Sequence, residues 1–333
     1  MQLALVTGAL GWLGQSLTRA LVKSEWRIRA LILPGQREAL GDQIEVVTGD
    51  LRNPADVQRL CAGAEKAVLF HTAGIIHPQR VCEFYEVNVA GTKNLLDAAS
   101  QAGLRRAVVV SSNSPCGCNP HPDHLFDEDS PYAPYMNYGR SKMLMELAVQ
   151  EYQRAGKLET VIIRAPWFYG PFQPLRQTLF FTMVREGKFP IVGGGENLRS
   201  MAYVDNLSQG LILAAVRPQA SGHVYWIADE RPYSMNEVVD TVERLLRDEF
   251  KIPCTGKRMR LPGIASECAW LIDKTTQAMG IYLQKIHVLS EMNKTIACST
   301  AKAQRELGYK PAIDLEEGMR RSIQWCRDTG VRI

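Results

Sequence analysis

A short apolar run, Met1 to Val6, leads directly into Thr7-Gly-Ala-Leu-Gly-Trp-Leu-Gly14 and then into the amphipathic stretch Gln15 to Val22. Glycines at 8, 11 and 14, placed between a buried strand and the start of a helix, leave few folds open. They allow a tight turn, a close approach to a pyrophosphate, and close packing of the helix that follows. Gly8, Gly11, Trp12, Leu13 and Gly14 are therefore candidate contacts for a dinucleotide phosphate.

The rest of the first half alternates strand-like and helix-like segments, as expected of an α/β protein with a doubly wound parallel sheet of the Rossmann type. Strands are predicted at Leu3 to Val6, Arg27 to Leu33, Ile44 to Thr48, Ala67 to Thr72, Ala107 to Ser111 and Thr160 to Arg164. Helices are predicted at Gln15 to Lys23, Pro54 to Leu60, Val81 to Gln101 and Tyr138 to Ala155. Pro166 and the aromatic, glycine- and proline-rich Trp167 to Pro174 break the alternation. The reading is a dinucleotide-binding domain over 1–165, to which 201–230 returns through a strand near His223 to Ala228, and a discontinuous substrate lobe within 166–333.

Composition narrows the partners. Lysine plus arginine exceeds aspartate plus glutamate by 39 − 35 = 4 with no long block of either sign, so charge suggests neither nucleic acid nor a membrane surface. No apolar run approaches the roughly 18 residues of a membrane span, and the start lacks a basic leader. The eight cysteines are scattered in apolar segments, as expected of reduced thiols in a cytoplasm. A small-molecule substrate is the expectation.

A second motif supplies chemistry. Tyr138-Gly-Arg-Ser-Lys142 sets a phenol and an ammonium at i and i+4 on one helix face, where a cation can ease ionisation of a tyrosine whose ordinary pKa is ~10. Together with Gly49-Asp50-Leu51, His71-Thr-Ala-Gly74, Asn88-Val-Ala-Gly-Thr92, Val110-Ser-Ser112, Arg164-Ala-Pro166, Tyr169-Gly-Pro171, Tyr203-Val-Asp205 and Ser299 to Tyr309, these residues occur in an order that resembles the extended short-chain dehydrogenase/reductase superfamily. The likeness extends to its NAD-dependent epimerase/dehydratase and 3β-hydroxysteroid dehydrogenase-like members.

That resemblance implies roles. Tyr138 would move a proton on the substrate oxygen, Ser112 would hydrogen-bond that oxygen, and Lys142 would bind the nicotinamide ribose. Asp50 and Leu51 would contact adenine, Thr72, Ala73, Gly74 and Asn88 would line the cofactor, and Pro166 would hold its carboxamide. Asn113, Trp167 and Arg199 would face substrate, Arg199 standing where sugar-nucleotide enzymes bind a diphosphate. A homodimer through Val81 to Gln101 and Tyr138 to Ala155 is implied as well.

The cofactor is NAD or NADP. Ala30-Leu-Ile-Leu-Pro-Gly-Gln-Arg37 lacks the acid that NAD enzymes place after the second strand, and Arg37 could meet a 2′-phosphate, which leans toward NADP. Asn113-Ser114 after Ser112 lacks the Asp-Glu of dehydratases. Leu261 to Leu289 resembles the apolar helical insert of hydroxysteroid dehydrogenase-like members, and the resemblance implies a secondary alcohol or ketone on an apolar or mixed molecule. A sugar-nucleotide epimerase with retained NAD and a non-catalytic dinucleotide sensor are the alternatives. Cys116, Cys118, His121 and His124 have tetrahedral zinc spacing but match no common finger, and no metal is expected.

Overall fold

The computed structural model describes residues 2–36, 41 and 43–333. Arg37, the candidate 2′-phosphate contact, lies outside the described residues. In chain order the strands are β1 Leu3–Thr7, β2 Arg27–Ile32, β3 Ile44–Thr48, β4 Val68–His71, β5 Arg106–Ser112, β6 Glu159–Ala165, β7 Trp167–Tyr169, β8 Pro190–Val192, β9 Leu198–Arg199, β10 Met201–Tyr203, β11 Val224–Trp226, β12 Tyr233–Ser234 and β13 Met259–Leu261. The helices are α1 Trp12–Lys23, α2 Pro54–Cys61, α3 Cys82–Phe84, α4 Thr92–Gln101, α5 Met136–Arg154, α6 Leu175–Arg185, α7 Val204–Val216, α8 Met235–Arg244, α9 Ile264–Ala278, α10 Gln284–Glu291 and α11 Leu315–Asp328.

Seven strands form one parallel sheet in the order β11-β6-β5-β4-β1-β2-β3. Strand order reverses between β1 and β4, and the carboxyl ends of such strands form the crevice where ligands bind in doubly wound sheets. The central strands β1 and β4 read as continuous apolar runs because both faces are covered. On one face α1 and α7 bury Leu17, Leu21, Leu207 and Leu211; on the other α2, α4 and α5 bury Leu60, Leu96 and Val149. A third core, with Val238, Val242, Met319 and Ile323, joins α8 to α11 beyond the sheet.

Two boundaries differ from the sequence reading. Helix α1 begins at Trp12 rather than Gln15, since Gly11 already has the extended backbone of a helix cap. The expected single helix from Val81 to Gln101 contains a π-helical stretch, Tyr85–Gly91, between α3 and α4. Such widened turns alter which side chains face inward, and Asn88 and Gly91 are buried here.

One buried histidine ties the carboxyl ends of β1 and β4 to α4. The Thr92 hydroxyl donates to Asn88 O at 2.7 Å, so it accepts from His71 Nε2 at 2.8 Å; His71 Nδ1 then accepts from the Thr7 hydroxyl at 2.7 Å. Burial, then the charge of Lys142, pushes the imidazole pKa down to about 3. Unfolded, the same group titrates near ~6.5. The unfolded chain thus holds the extra proton between those values, and stability is full above pH ~6.5 and falls as pH drops toward ~3, by at most ~1.4 kcal/mol per unit. Urea unfolding between pH 7 and 4 should reveal this slope, and His71→Asn should flatten it; equal slopes would discard the assignment.

Candidate active site

The site is assembled at the carboxyl ends of β1, β4 and β5 and the first turns of α1 and α5. Gly8 takes a left-handed φ of 75°, and a Cβ there would stand 2.7 Å from Ala73 N. A Cβ on Gly14 would stand 1.9 Å from Gly8 O, so the glycine loop lies directly against both the start of α1 and the end of β4. The first turn of α1 has no side-chain cap, which leaves its amides and the positive end of its dipole free for a phosphate. Trp12 turns its indole away to donate to Pro171 O at 2.8 Å, while Leu13 is buried in the core.

The other candidate cofactor residues divide into engaged and open groups. Asp50 N donates to Asp56 at 2.8 Å and its carboxylate is bound by Arg52 at 2.6 Å; Leu51 is buried. The Thr72 hydroxyl donates to Thr7 O at 2.8 Å, and Ala73 lies against Gly8. Asn88 is consumed on both sides: its Oδ1 accepts from Ile75 N at 2.9 Å and its Nδ2 donates to Ile75 O at 3.0 Å and to Ser141 Oγ at 3.2 Å. It clasps the loop after β4 to α5. Around Gly74 only Asn88 Oδ1 and Lys142 Nζ come within van der Waals range of a would-be Cβ, so the floor here is open and polar.

Tyr138 stands in the first turn of α5, two residues after Met136, which takes a left-handed φ of 53°. Its ring packs 5.6 Å from Phe84. Ser112, buried at the end of β5, lies near enough to the phenol to ease its ionisation and stands 3.3 Å from Ser114 Oγ; Asn113 is buried beside it. Lys142, one turn along α5, is buried and donates to Val110 O at 3.0 Å.

The electrostatics differ from expectation. Burial pushes the Tyr138 phenol up to about 12, with Ser112 pulling it back and Glu291 adding to the rise. Burial lowers Lys142 to about 8, partly opposed by Glu146. The ammonium is held on the Val110 carbonyl, so desolvation, not the neighbouring cation, governs the phenol.

Pro166 is buried and Trp167 half-buried at the start of β7. Arg199 is buried, its guanidinium 4.5 Å from the Trp167 ring centroid, with one nitrogen donating to Glu291 O. Its Nε and Nη1 have no partner. Burial lowers its pKa, with Glu291 opposing.

Sequence reasoning missed a buried polar network on α9 and α10. Asn137 N and Nδ2 donate to Gln277 Oε1 at 3.1 and 3.0 Å, Gln277 Nε2 donates to Asp273 Oδ1 at 2.9 Å, and Asp273 Oδ2 lies 2.7 Å from His287 Nδ1. Glu291 lies 3.8 Å beyond His287 Nε2. Burial opposes the charge on His287, yet Asp273 and Glu291 outweigh it and its pKa is raised. The signal was present as polar residues four apart, Asp273/Gln277 and His287/Glu291, inside apolar stretches. Cys116 packs in an apolar cluster with Phe126 and Trp226, and His124 Nδ1 bonds Asn119 at 3.0 Å. Among the described residues no group of His, Cys, Asp and Glu is arranged to hold a metal.

A parallel sheet with a glycine loop at its switch point and a Ser-Tyr-Lys set beside it defines an extended short-chain dehydrogenase/reductase. The family model for the NAD dependent epimerase/dehydratase family matches residues 4–228, and the chain belongs to that family. It is 53% identical over 341 residues to protein y4nL of Sinorhizobium fredii, covering 98% of this chain and 96% of that one. It is 30% identical to human 3 beta-hydroxysteroid dehydrogenase type 7, covering 97% and 95%. It is 27% identical to the N-acetyl-alpha-D-glucosaminyl-diphospho-ditrans,octacis-undecaprenol 4-epimerase of Escherichia coli O157:H7, covering 96% and 94%. The crystal structure of gox2253 shares the fold over 100% of both chains, with a TM-score of 0.81 at 24% identity. The protein is thus an enzyme of the extended short-chain type in an NAD-dependent family.

Proposed function

We propose that this enzyme interconverts a secondary alcohol and a ketone on an apolar or mixed small molecule. The observation that carries the reading is the close packing of the head of α5, with Tyr138, on the end of β5, with Ser112: a Cβ on the adjacent Gly139 would stand 2.4 Å from Ser114 O, so both hydroxyls sit where one substrate oxygen could meet them. The glycine loop and the uncapped start of α1 suit a dinucleotide pyrophosphate, and the open floor at Gly74 beside Lys142 suits a ribose. Bound there, a nicotinamide dinucleotide would supply or accept the hydride.

The proton chemistry belongs to the chain. A phenol held near 12 is protonated at neutral pH, so Tyr138 is ready to donate to a ketone oxygen while Ser112 hydrogen-bonds the same oxygen. Lys142 remains charged below about 8 and favours negative charge in its surroundings. Reduction is therefore expected to slow as pH rises through about 8, and Lys142→Arg should move that limb upward because a guanidinium keeps its proton. A pH–rate profile checks both; a limb unmoved in the variant would remove Lys142 from the assignment.

Domain roles follow the same reading, with 1–165 holding the dinucleotide and most of 166–333 shaping the substrate pocket. The missing acid after β2, where Leu33, Pro34 and Gly35 stand, supports NADP over NAD. One observation favours a second substrate reading: the buried Arg199 with two free nitrogens suits an anionic group such as a sugar-nucleotide diphosphate, and the E. coli relative is named as an epimerase of a diphospho-linked sugar. Denaturing fresh protein and identifying released nucleotide by mass separates the two. Stoichiometric NAD would favour the epimerase; an empty protein that binds NADPH reversibly would favour the reductase.

A further inference from the structure

Helix α9 has inverted amphipathicity. Its inward face is polar, with Ser266 and Asp273 at 0% exposure and Gln277 at 4%, because Asp273 and Gln277 build the network that ends at Asn137 beside Tyr138 and the Ser266 hydroxyl donates to Leu289 O on α10. Its outward face carries Ile264, Cys268, Leu271, Ile272 and Met279, with Leu271 61% and Met279 64% exposed. A helix of a water-soluble domain normally does the reverse. Contiguous exposed apolar surface of this kind marks a docking site.

The face continues to the mouth of the active site. Ile281 and Leu283, both exposed, flank Tyr282, whose ring packs 5.3 Å from Phe84, the residue beneath Tyr138.

Charge identifies the occupant. Lys274 lies 4.9 Å from the centroid of half-buried Trp270 at the edge of the face, and exposed Lys285 follows at the start of α10. The outward acid of α9, Glu267, is already paired with Lys294, and Asp273 points inward. An apolar stripe flanked by cations and a tryptophan is the pattern of a helix lying in an anionic bilayer surface. A second copy fits less well. A symmetric contact would set Lys274 and Lys285 against the same cations of the other copy, while the outward acid of α9, Glu267, is already paired.

We propose that the α9 face and its continuation at Ile281 and Leu283 dock peripherally on an anionic membrane surface, placing the mouth of the site where a lipidic substrate resides. Among the described residues no helix is long and apolar enough to cross a membrane, so the contact is interfacial. The proposal deepens the apolar-substrate reading, and its test does not depend on turnover.

The experiment is flotation of the intact protein with vesicles of phosphatidylethanolamine and phosphatidylglycerol, and with vesicles of phosphatidylcholine alone. Wild type and Leu271→Glu/Met279→Glu are compared, with sedimentation velocity and nucleotide binding measured on both. The expected result is wild-type flotation with the anionic vesicles, reduced at least about tenfold by the double variant and weakened by high salt, with nucleotide affinity and sedimentation unchanged. Absence of wild-type flotation, or equal flotation of both proteins, overturns the proposal. So does a variant that sediments as a smaller species, which would make the face a contact between copies. If flotation holds while no alcohol or ketone is turned over, the chemical reading fails and the docking surface stands.

Discussion

Tyr138→Phe is expected to lower turnover by about 10²–10⁴-fold, the range for loss of a positioned proton donor, with nucleotide affinity changed by less than about tenfold, the most a single neutral hydroxyl contact carries. The substitution removes one oxygen and leaves the ring on Phe84. Ser112 keeps its place beside Ser114, and Lys142 still rests on Val110. Ser112→Ala should cost less, because Tyr138 still supplies the proton. The measurement is single-turnover hydride transfer alongside a nucleotide titration. A Phe variant that turns over as fast as wild type would sink the assignment and revive the dinucleotide-sensor reading.

The parts of the site closest to the backbone were the most legible in the sequence. Glycines at 8 and 14 answer to a left-handed turn and to a helix pressed on a carbonyl, constraints only glycine meets, so their spacing carries the fold's signature. The parallel sheet was legible because its central strands β1 and β4, covered on both faces, are apolar up to their last residue. Charge behaviour was not legible. The i, i+4 spacing of Tyr138 and Lys142 puts them on one face, but a side-chain interval contains no burial, and burial sets both pKa values here. Arg199 illustrates the same limit: its position suggested an anion contact, whereas its two unpartnered nitrogens, its stacking on Trp167 and its bond to Glu291 O emerge only when β9 and α10 come together. The α9 stretch was read as an apolar insert that favours an apolar or mixed substrate. Its polar residues instead face inward, because Asn137 at the head of α5 needs Gln277 as acceptor, and its apolar residues are left outside.

Gly14→Ala should be the most damaging single-carbon change in the cofactor half. The added Cβ would lie 1.9 Å from Gly8 O, 2.7 Å from Gly8 C and 2.8 Å from Ala9 Cα, all backbone, so no side chain can swing aside. Helix α1 cannot retreat: Leu17 and Leu21 are fully buried, and Ser16 Oγ is fixed to Asp205 at 2.6 Å and Ser208 at 2.8 Å on α7. Nor can the loop, since Gly8 already presses on Ala73 and Thr7 is bound to His71. The clash can therefore be relieved only by breaking some of these contacts, which throws the glycine loop and the amides of α1 out of register. A cost of about 3 kcal/mol, at the upper end for overpacking, is expected in unfolding experiments, with nucleotide affinity reduced by at least about 100-fold through loss of the aligned helix terminus. Gly11→Ala provides the comparison, since its Cβ would meet only Gly8 O, at 3.1 Å; it should fold nearly as well as wild type while still weakening the dinucleotide that the loop approaches. If Gly14→Ala binds nucleotide as tightly as the parent, the loop is not the phosphate cradle, and the chemistry assigned to Tyr138 must be served by a ligand bound elsewhere.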